Sequence, residues 1–476
     1  MKPLTLLTIT IATMGGLLMG YDVGVISGVL IMPTFAPHFG MEGDAQYQSQ
    51  VKGNIVSMLQ AGCCIGGLLI NLFADPFGRK AGIMLSAIIF IIGSIVQVLA
   101  PSVGAMMAGR FIGGMGVGGC SNIVPVYIAE IAPKELRGRM ANLWQFMVVL
   151  GIMVSYWIDY ACLKHMPESD KQWKTPLGLQ IVPGGILLIG IVFLPESLRW
   201  LASRDRIDKL TTTLSRLRGL PEDNEKIVQE VTEIHESILA ERASKASKWS
   251  ELLQPSNIRR LVIGVMIGVC QQWTGTNAIN YYAPDMFRQI GITGETVDIL
   301  ATGIYGVVKV IFVFIFFFMV DHKFFGRRNS LLTGSIIMCI SFYILGGLLK
   351  HIEIEQAAVP PGVEPPVGGK GYAAMIMLFI FAIGYEISWG PLVFVICAEI
   401  YPTRIRAICM SITIAIFWAM NTVIAKVTPL MITNLTYGTY FFFGTTVFAM
   451  TIFTWLFIPE TRNRSLEDME PVSFKH

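Results

Sequence analysis

Apolar stretches about 20 residues long recur along the whole chain, and a helix of about 20 residues crosses the hydrocarbon core of a bilayer. Since 53% of the 476 residues are hydrophobic and only 14% are charged, lipid must surround most of the surface. The sequence therefore predicts an all-α membrane protein with twelve transmembrane helices. The predicted spans are 4–31, 51–74, 81–100, 104–129, 140–161, 177–194, 259–285, 296–320, 329–350, 371–398, 405–432 and 438–458.

The remaining composition excludes several classes of protein. A net charge of +3 is close to neutral, so a nucleic-acid partner is not expected. The eight cysteines have neither the spacing of metal ligands nor that of a disulfide framework. No HExxH zinc pair or GxSxG nucleophile motif is present in the sequence. We therefore predict no metal site, no cofactor and no enzymatic activity.

Basic residues cluster in the even-numbered connections between the predicted spans, whereas the odd-numbered connections are acidic, mixed or uncharged. Loops rich in Lys and Arg stay in the cytoplasm, so both termini and the long central segment are predicted to be cytoplasmic. We expect a multi-pass protein of the plasma membrane. The clusters contain Arg79 and Lys80; Lys134, Arg137 and Arg139; Lys323, Arg327 and Arg328; Arg404 and Arg406; and Arg462 and Arg464.

Three motifs occur twice in the same order, roughly 250 to 270 residues apart. They are DPFGRK and DHKFFGRR, PVYIAEIAPKELRGR and FVICAEIYPTRIRA, and PESLRWL and PETRNRSL. Two six-helix bundles in parallel orientation, related by an axis along the membrane normal, produce such a repeat. The predicted units are a first bundle at 1–194, a cytoplasmic linker at 195–258, a second bundle at 259–458 and a cytoplasmic tail at 459–476.

The linker changes abruptly to charged and polar composition. Its apolar residues lie at helical spacing, which predicts short amphipathic helices. These helices either pack beneath the bundle or bind a regulatory partner. The apolar positions are Ile227, Val228, Val231, Ile234, Ile238 and Leu239.

Six motifs, taken together, resemble the sugar porter family of the major facilitator superfamily over essentially the whole chain. They are GYDVGVISG (20–28), DPFGRK (75–80), GRFIGGMGVG (109–118), PESLRWL (195–201), QQWTGTNAINYYAP (271–284) and PETRNRSL (459–466). The resemblance implies a transporter that works by alternating access in the bilayer. It implies a small polyol as substrate and protons as the coupling ion, and we expect the chain to function as a monomer.

The repeated loop motifs predict a gate at the cytoplasmic side. Glycine permits tight turns at Gly78 and Gly326. The resemblance implies that charged residues at neighbouring helix ends form a network of exposed pairs, each contributing only about 0–1 kcal/mol. The alternative is that these are ordinary cytoplasmic basic residues. The predicted gate consists of Asp75, Gly78, Arg79, Glu130, Arg137, Arg139, Asp321, Gly326, Arg327, Glu399, Arg404 and Arg406.

Asp22 and Arg110 are charged residues within predicted spans, and both belong to family motifs. Burial raises the pKa of a carboxyl group and a nearby guanidinium lowers it, so the balance can switch with the position of the arginine. In proton-coupled sugar porters an aspartate occupies the position that Asp22 matches. We therefore predict that Asp22 and Arg110 couple transport to protons, the alternative being a structural ion pair that never titrates.

Seven residues match the sugar contacts of the family. Amide side chains both donate and accept hydrogen bonds, which suits a polyol, and an indole face packs on its C–H surface. Two of the seven, Gln271 and Gln272, point in different directions on a helix, so only one of them is expected to be central. Core packing is the alternative for Trp418. The seven residues are Gln145, Gln271, Gln272, Asn277, Tyr281, Glu386 and Trp418.

Lys309 lies near the midpoint of an apolar span, where a charge is costly unless it faces protein or water. Hexose-transporting relatives have asparagine there, and Phe394 and Phe417 also depart from the hexose pattern. A buried ammonium needs a counter-ion, which is either a substrate carboxylate or an acidic residue such as Glu386. The remaining alternative is that burial leaves the amine neutral. GIYGVVK resembles the fungal quinate and uronate branch among the quinate, uronate and hexose permeases.

The sequence therefore predicts a proton-coupled symporter of a sugar or of a sugar-like acid such as quinate or a uronate. A symporter or facilitator of a neutral hexose or pentose is the first alternative. A nutrient-sensing receptor on the same fold is the second.

Overall fold

A computed structural model describes residues 3–41, 43–133, 137–243, 251–291, 297–319, 326–357, 368–402 and 405–458. The first half of this structure contains six membrane crossings, and the sixth crossing is built from two consecutive helices, α7 and α8. A short helix, α2, follows the first crossing. The helices are α1 (Pro3–Val29), α2 (Phe35–His38), α3 (Ala45–Phe77), α4 (Arg79–Val98), α5 (Val103–Ile131), α6 (Arg137–His165), α7 (Asp170–Leu179) and α8 (Ile181–Phe193).

Three helices of the predicted linker lie against the end of the first half. They are α9 (Leu198–Ser203), α10 (Ile207–Arg218) and α11 (Glu225–Ala243). Ile227 and Ile238 are buried in a cluster with Leu210 and Tyr127, whereas Val228 is 52% exposed. The Thr5 hydroxyl of α1 also donates a hydrogen bond to the Leu217 carbonyl oxygen (2.6 Å). The apolar spacing therefore packs these helices on the bundle.

The second half repeats the six crossings but interrupts two of them. Its helices are α12 (Pro255–Gln272), α13 (Thr276–Gln289), α14 (Val297–Met319), α15 (Arg327–Ala357), α16 (Gly369–Glu386), α17 (Trp389–Ile400), α18 (Arg406–Leu435) and α19 (Gly438–Phe457). Gly275 separates α12 from α13 with a φ of +88°, a conformation that glycine adopts at little cost. Each of the predicted spans 259–285 and 371–398 thus consists of two helices rather than one, as does the predicted span 177–194.

The predicted twelve-helix membrane fold is confirmed. Within the described ranges, eleven segments are long and apolar enough to cross a membrane, with α7–α8 and α16–α17 each counted as one. The twelfth crossing is the interrupted pair α12–α13, in which polar residues flank the break. The predicted all-α class and the number of crossings thus agree with the structure.

Glycines bring α3 and α5 into close contact. A Cβ atom at Gly62 would overlap the Phe111 carbonyl oxygen, and one at Gly114 would overlap the Leu59 carbonyl oxygen. Helices in lipid associate through such small residues because no hydrophobic force drives them together. The α3–α5 contact therefore depends on the absence of side chains at these positions.

The two halves meet mainly through three helix pairs, α3–α18, α6–α14 and α1–α13, with a smaller contact between α6 and α17. The hydroxyl oxygens of Ser49 and Thr433 lie 2.7 Å apart, and Lys52 Nζ lies 3.4 Å from Asp285 Oδ2. Both contacts are at the end of the bundle away from α9–α11. We call the end with α9–α11, Gly78 and Gly326 the basic end, and the other the opposite end.

Replacing Gly62 by alanine is expected to destabilise the protein by about 1–3 kcal/mol, because the new methyl group must push two backbones apart. Gly67→Ala on the same helix is the matched control, since its Cβ would lie 3.5 Å from the nearest atom, the Gly118 carbonyl oxygen. Size-exclusion chromatography after heating should give a lower unfolding midpoint for G62A only. Equal midpoints for the two variants would contradict this account of the contact.

Candidate functional site

The ammonium group of Lys309 lies inside the protein at the middle of α14. The residue is 1% exposed. Its Nζ lies 3.2 Å from Glu386 Oε1 on α16 and donates a hydrogen bond to Asn280 Oδ1 on α13 (3.1 Å). Of the two counter-ions considered from the sequence, the acidic residue is therefore in place in the structure.

Aromatic rings complete the surroundings of this ammonium. Lys309 Nζ lies 5.6 Å from the ring centre of Tyr305 and 5.5 Å from that of Tyr385. Cation–π attraction at such distances stabilises a desolvated cation. Gln145 from α6, in the first half, also approaches Glu386. The Lys309 group thus draws residues from both halves of the protein.

The break between α12 and α13 places the two predicted glutamines on separate polar contacts. Gln271 Nε2 donates hydrogen bonds to the Tyr385 hydroxyl (3.1 Å) and to the Trp389 carbonyl oxygen (3.0 Å). Gln272 Oε1 instead accepts a hydrogen bond from Asn277 Nδ2. The two side chains point in different directions, as the helical spacing predicts.

A chain of amides leads from these glutamines to Lys309. Asn280 Nδ2 donates a hydrogen bond to Asn277 Oδ1 (3.4 Å), and Asn280 Oδ1 accepts the bond from Lys309. The Tyr156 hydroxyl of α6 donates to the Asn280 carbonyl oxygen (2.9 Å). Gln272, Asn277, Asn280 and Lys309 are therefore connected through hydrogen bonds.

Buried amide atoms without a hydrogen-bond partner remain within the described part of this region. They are Gln271 Oε1, Gln272 Nε2 and Gln60 Nε2. Buried polar atoms are normally paired, and each unpaired one needs an explanation. One acceptor and two donors of this kind are what a hydroxylated ligand can satisfy.

Tyr281 links the second half to α3 of the first half. Its hydroxyl donates a hydrogen bond to Asn421 Oδ1 (3.1 Å), and Asn421 Nδ2 donates one to Gln60 Oε1 (3.3 Å). Tyr281 also lies within electrostatic range of Asp22 and Arg110. This tyrosine therefore connects the predicted substrate residues with the predicted coupling pair.

Trp418 is placed in an apolar cluster. Its ring centre lies 5.3 Å from that of Phe417, which in turn lies 5.2 Å from that of Phe394. Leu59 and Cys63 of α3 belong to the same cluster. These contacts agree with the core-packing alternative for Trp418.

Asp22 of α1 and Arg110 of α5 lie in direct contact. Arg110 Nη1 donates a hydrogen bond to Asp22 Oδ1 (2.6 Å), and both side chains are 0% exposed. Asp22 Oδ2 and two guanidinium nitrogens, Nε and Nη2, have no hydrogen-bond partner among the described residues. The pair is charge-balanced but incompletely hydrogen-bonded, so water or a proton can alter it.

At the basic end, the first loop motif forms a network of ion pairs. Gly78 has a φ of +108°, which turns the chain from α3 into α4. Arg79 lies 2.7 Å from Asp75 and 3.8 Å from Glu130. The Ser197 hydroxyl donates a hydrogen bond to Glu130. These four predicted gate residues are therefore brought together, with Ser197 added by the structure.

Glu196 also joins this network. It accepts hydrogen bonds from the backbone N–H groups of Lys80 (3.1 Å) and Ser197 (2.8 Å). Burial raises the pKa of Glu196, and these N–H groups act in the opposite direction. The repeated PESLRWL motif could have identified both Glu196 and Ser197 from the sequence.

The corresponding network in the second half has fewer residues within the described part of the chain. Arg327 Nη2 lies 3.1 Å from Glu399 Oε1, next to the buried Gly326. Arg406 donates two hydrogen bonds to the Tyr401 carbonyl oxygen (3.3 Å each). Outside the described residues lie Asp321, Arg404, the tail at 459–476 and the side chains of Arg137 and Arg139.

Sequence reasoning missed Asn280, Tyr305, Tyr385 and Asn421. Helical spacing gives a signal for three of them, because Asn280 follows Asn277 by three positions, Tyr305 precedes Lys309 by four, and Asn421 follows Trp418 by three. Tyr385 precedes Glu386 directly, so spacing on one helix face does not identify it.

Comparison with known proteins shows the family. The family model described as "Sugar (and other) transporter" matches residues 8–472. The quinate permease of Emericella nidulans is 34% identical over 473 residues, covering 97% of this chain and 86% of the relative. The probable quinate permease of Aspergillus flavus has the same identity and the same coverage of both chains.

Solved structures show the same likeness. The xylose transporter XylE from E. coli in a partially occluded inward-open conformation has a TM-score of 0.80 at 26% identity, covering 98% of this chain and 100% of that chain. The proton:xylose symporter XylE bound to 6-bromo-6-deoxy-D-glucose has a TM-score of 0.79 at 26% identity, covering 98% of each chain. This chain belongs to the sugar transporter family of the major facilitator superfamily. It is a transporter of a small sugar-like molecule and not an enzyme.

The Asp22–Arg110 pair predicts an asymmetric effect of two substitutions. Asp22→Leu leaves a buried guanidinium that cannot lose its proton, which should cost about 3–5 kcal/mol. Arg110→Met should cost less, because Asp22 can take up a proton. The double variant should be more stable than D22L alone. Thermal unfolding of purified protein at neutral pH measures all three, and a double variant less stable than D22L would refute the pairing argument.

Proposed function

We propose that this chain is a proton-coupled symporter of a polyhydroxylated monocarboxylate of the quinate or uronate type. The observation that carries the proposal is the ammonium of Lys309, 1% exposed at the middle of an apolar helix and surrounded by amides and tyrosines. A charge at this depth is expensive and marks a functional site by default. The similar protein of Emericella nidulans is named a quinate permease, and that of Aspergillus flavus is named a probable quinate permease.

The amides around Lys309 suit the rest of such a substrate. Gln271 and Gln272 each have an unsatisfied amide atom, and Asn277 is only half-buried. Hydroxyl groups both donate and accept, so they can satisfy either kind of amide atom. The carboxylate would bind Lys309 while the ring hydroxyls bind the amides of α12 and α13.

Protons would enter the cycle at Asp22. Protonation neutralises the carboxylate that holds Arg110 at 2.6 Å, and the released guanidinium changes the field at Tyr281. Tyr281 bonds through Asn421 to Gln60 of the other half. XylE, which is a proton:xylose symporter, has the same fold. This path would couple the proton to closure of the two halves around the substrate.

Alternating access would be a rocking of the bundle at 1–194 against the bundle at 259–458, with 195–258 as the linker. Contacts between the halves at the opposite end, such as Lys52–Asp285, agree with a site that opens toward the basic end. The Asp75–Arg79–Glu130 network would then act as the gate there. We place the basic end and both termini in the cytoplasm and the monomer in the plasma membrane.

A neutral hexose or pentose is the second candidate. The observation that favours it is the 3.2 Å contact between Lys309 and Glu386, in which the carboxylate compensates the charge of the ammonium without an acidic substrate. The substrate would then be bound by the amides alone. Uptake measurements separate the two candidates.

Asp22→Asn is expected to lower accumulation against a gradient while leaving exchange of substrate intact, because the asparagine cannot carry the proton of Asp22 across the membrane. Labelled substrate in proteoliposomes with an imposed pH gradient measures accumulation, and preloaded vesicles without a gradient measure exchange. Asp44→Asn, at an exposed helix cap of the opposite end, is the control. Undiminished accumulation by D22N would show that Asp22 is not the coupling residue.

Lys309→Asn is expected to reduce acid uptake at least tenfold and to raise neutral-sugar uptake, since a counter-ion for the carboxylate is lost and a hydroxyl partner is gained. Cells expressing either chain are given labelled quinate, galacturonate, glucose and xylose at acidic and neutral external pH. Lys350→Asn, with its exposed side chain near the end of α15, is the control. Uptake of glucose or xylose but neither acid by the unaltered chain would establish the neutral-sugar alternative.

A further inference from the structure

The Lys309–Glu386 pair leaves the site electrically neutral before a substrate binds. Lys309 Nζ and Glu386 Oε1 are 3.2 Å apart, and the two residues are 1% and 0% exposed. A buried pair of opposite charges is tolerated because each charge compensates the other. An anionic substrate that reaches Lys309 adds a second negative charge to a site that has one positive charge.

Among the described groups that face Glu386, none besides Lys309 carries a positive charge that could balance a second carboxylate. From α14 come Lys309 and Tyr305, from α16 comes Tyr385, and from α17 comes the Gly390 backbone. The first half contributes the neutral amide of Gln145. Tyr156 and Tyr281, which interact with Tyr305 and Tyr385, are the next titratable groups. Among the described residues that face Glu386, Lys309 is therefore the cation.

We propose that binding of a carboxylate substrate at Lys309 is coupled to protonation of Glu386, which makes Glu386 a proton carrier in addition to Asp22. This inference rests on the proposed function, because it requires an acid as substrate. In the step itself, one proton from solution binds one carboxylate oxygen of Glu386. The Lys309 ammonium then pairs with the substrate carboxylate instead of Glu386, and no other bond forms or breaks.

The physical reason is the charge of the occupied site. With Glu386 ionised, one ammonium faces two carboxylates in a region shielded from water. With Glu386 protonated, one ammonium faces one carboxylate and the site is neutral again. Lys309 Nζ lies nearest to Glu386 Oε1, which leaves the other carboxylate oxygen, Oε2, as the position for the proton.

Linkage turns this step into a measurable property. If acid binding raises the affinity of Glu386 for a proton, proton binding raises the affinity for the acid by the same factor. The affinity for the acid should therefore rise as pH falls, by up to about tenfold per pH unit from this residue alone. An uncharged analogue leaves the Lys309–Glu386 pair unchanged and gains nothing from Glu386.

The experiment compares quinate and galacturonate with their methyl esters on the purified full-length protein in lipid nanodiscs. Proton uptake on binding is followed with an indicator dye in weak buffer, and binding with labelled ligand. Each acid should take up about one proton more per bound molecule than its ester, because only the acid displaces Glu386. This comparison uses the unaltered chain and so does not depend on how a variant folds.

Glu386→Gln should remove the extra proton and should bind the acid at neutral pH as tightly as the unaltered chain does at acidic pH. Glu236→Gln, exposed on α11, should behave like the unaltered chain. Equal proton uptake with acid and ester, or an extra proton that survives in E386Q, would overturn this inference while the acid remains the substrate. Binding of glucose or xylose but neither acid at any pH would overturn the proposed function and this inference with it.

Discussion

The cost of a charge in hydrocarbon governs the arrangement of this protein. Four charged residues near the middle of the bundle are at most 1% exposed, and they form two pairs, Asp22–Arg110 and Lys309–Glu386. Each pair joins two helices of one half, α1 with α5 and α14 with α16. Removing one partner leaves an uncompensated charge, so such a pair can change only when a proton, water or another charge replaces the missing partner.

Interrupted helices place polar groups beside the second pair. Non-helical backbone at membrane depth is tolerated only where protein or a water-filled cavity surrounds it. The break at Gly275 lies between Gln271 and Asn277, and the break between α16 and α17 directly follows Glu386. The Trp389 carbonyl oxygen, just beyond the second break, accepts a hydrogen bond from Gln271. The two breaks therefore stabilise each other while presenting amides around Lys309.

Much of the fold could be predicted from the sequence because the lengths of apolar stretches and the positions of charged residues can be read directly along the chain. The crossings, the repeat and the linker helices follow from such signals. The break at Gly275 was missed because the length of a span does not reveal the left-handed φ that this glycine adopts. The sequence did not decide which group is the counter-ion of Lys309, because Glu386 lies on another helix and its distance along the chain does not indicate a contact. Asn280 and Tyr305 were within reach of helical spacing, but Tyr385 required the distance between α14 and α16.

The net charge of the site also determines which steps of the proposed cycle the membrane potential can drive. Moving one elementary charge across the membrane changes the free energy by about 2.3 kcal/mol per 100 mV. The empty protein, with both pairs ionised, carries no net charge at the site. An acid with a proton on Glu386 keeps the second pair neutral, whereas a proton on Asp22 leaves Arg110 unbalanced. The loaded protein alone would then carry one positive charge, so a potential negative inside would favour the inward step without opposing the return of the empty protein.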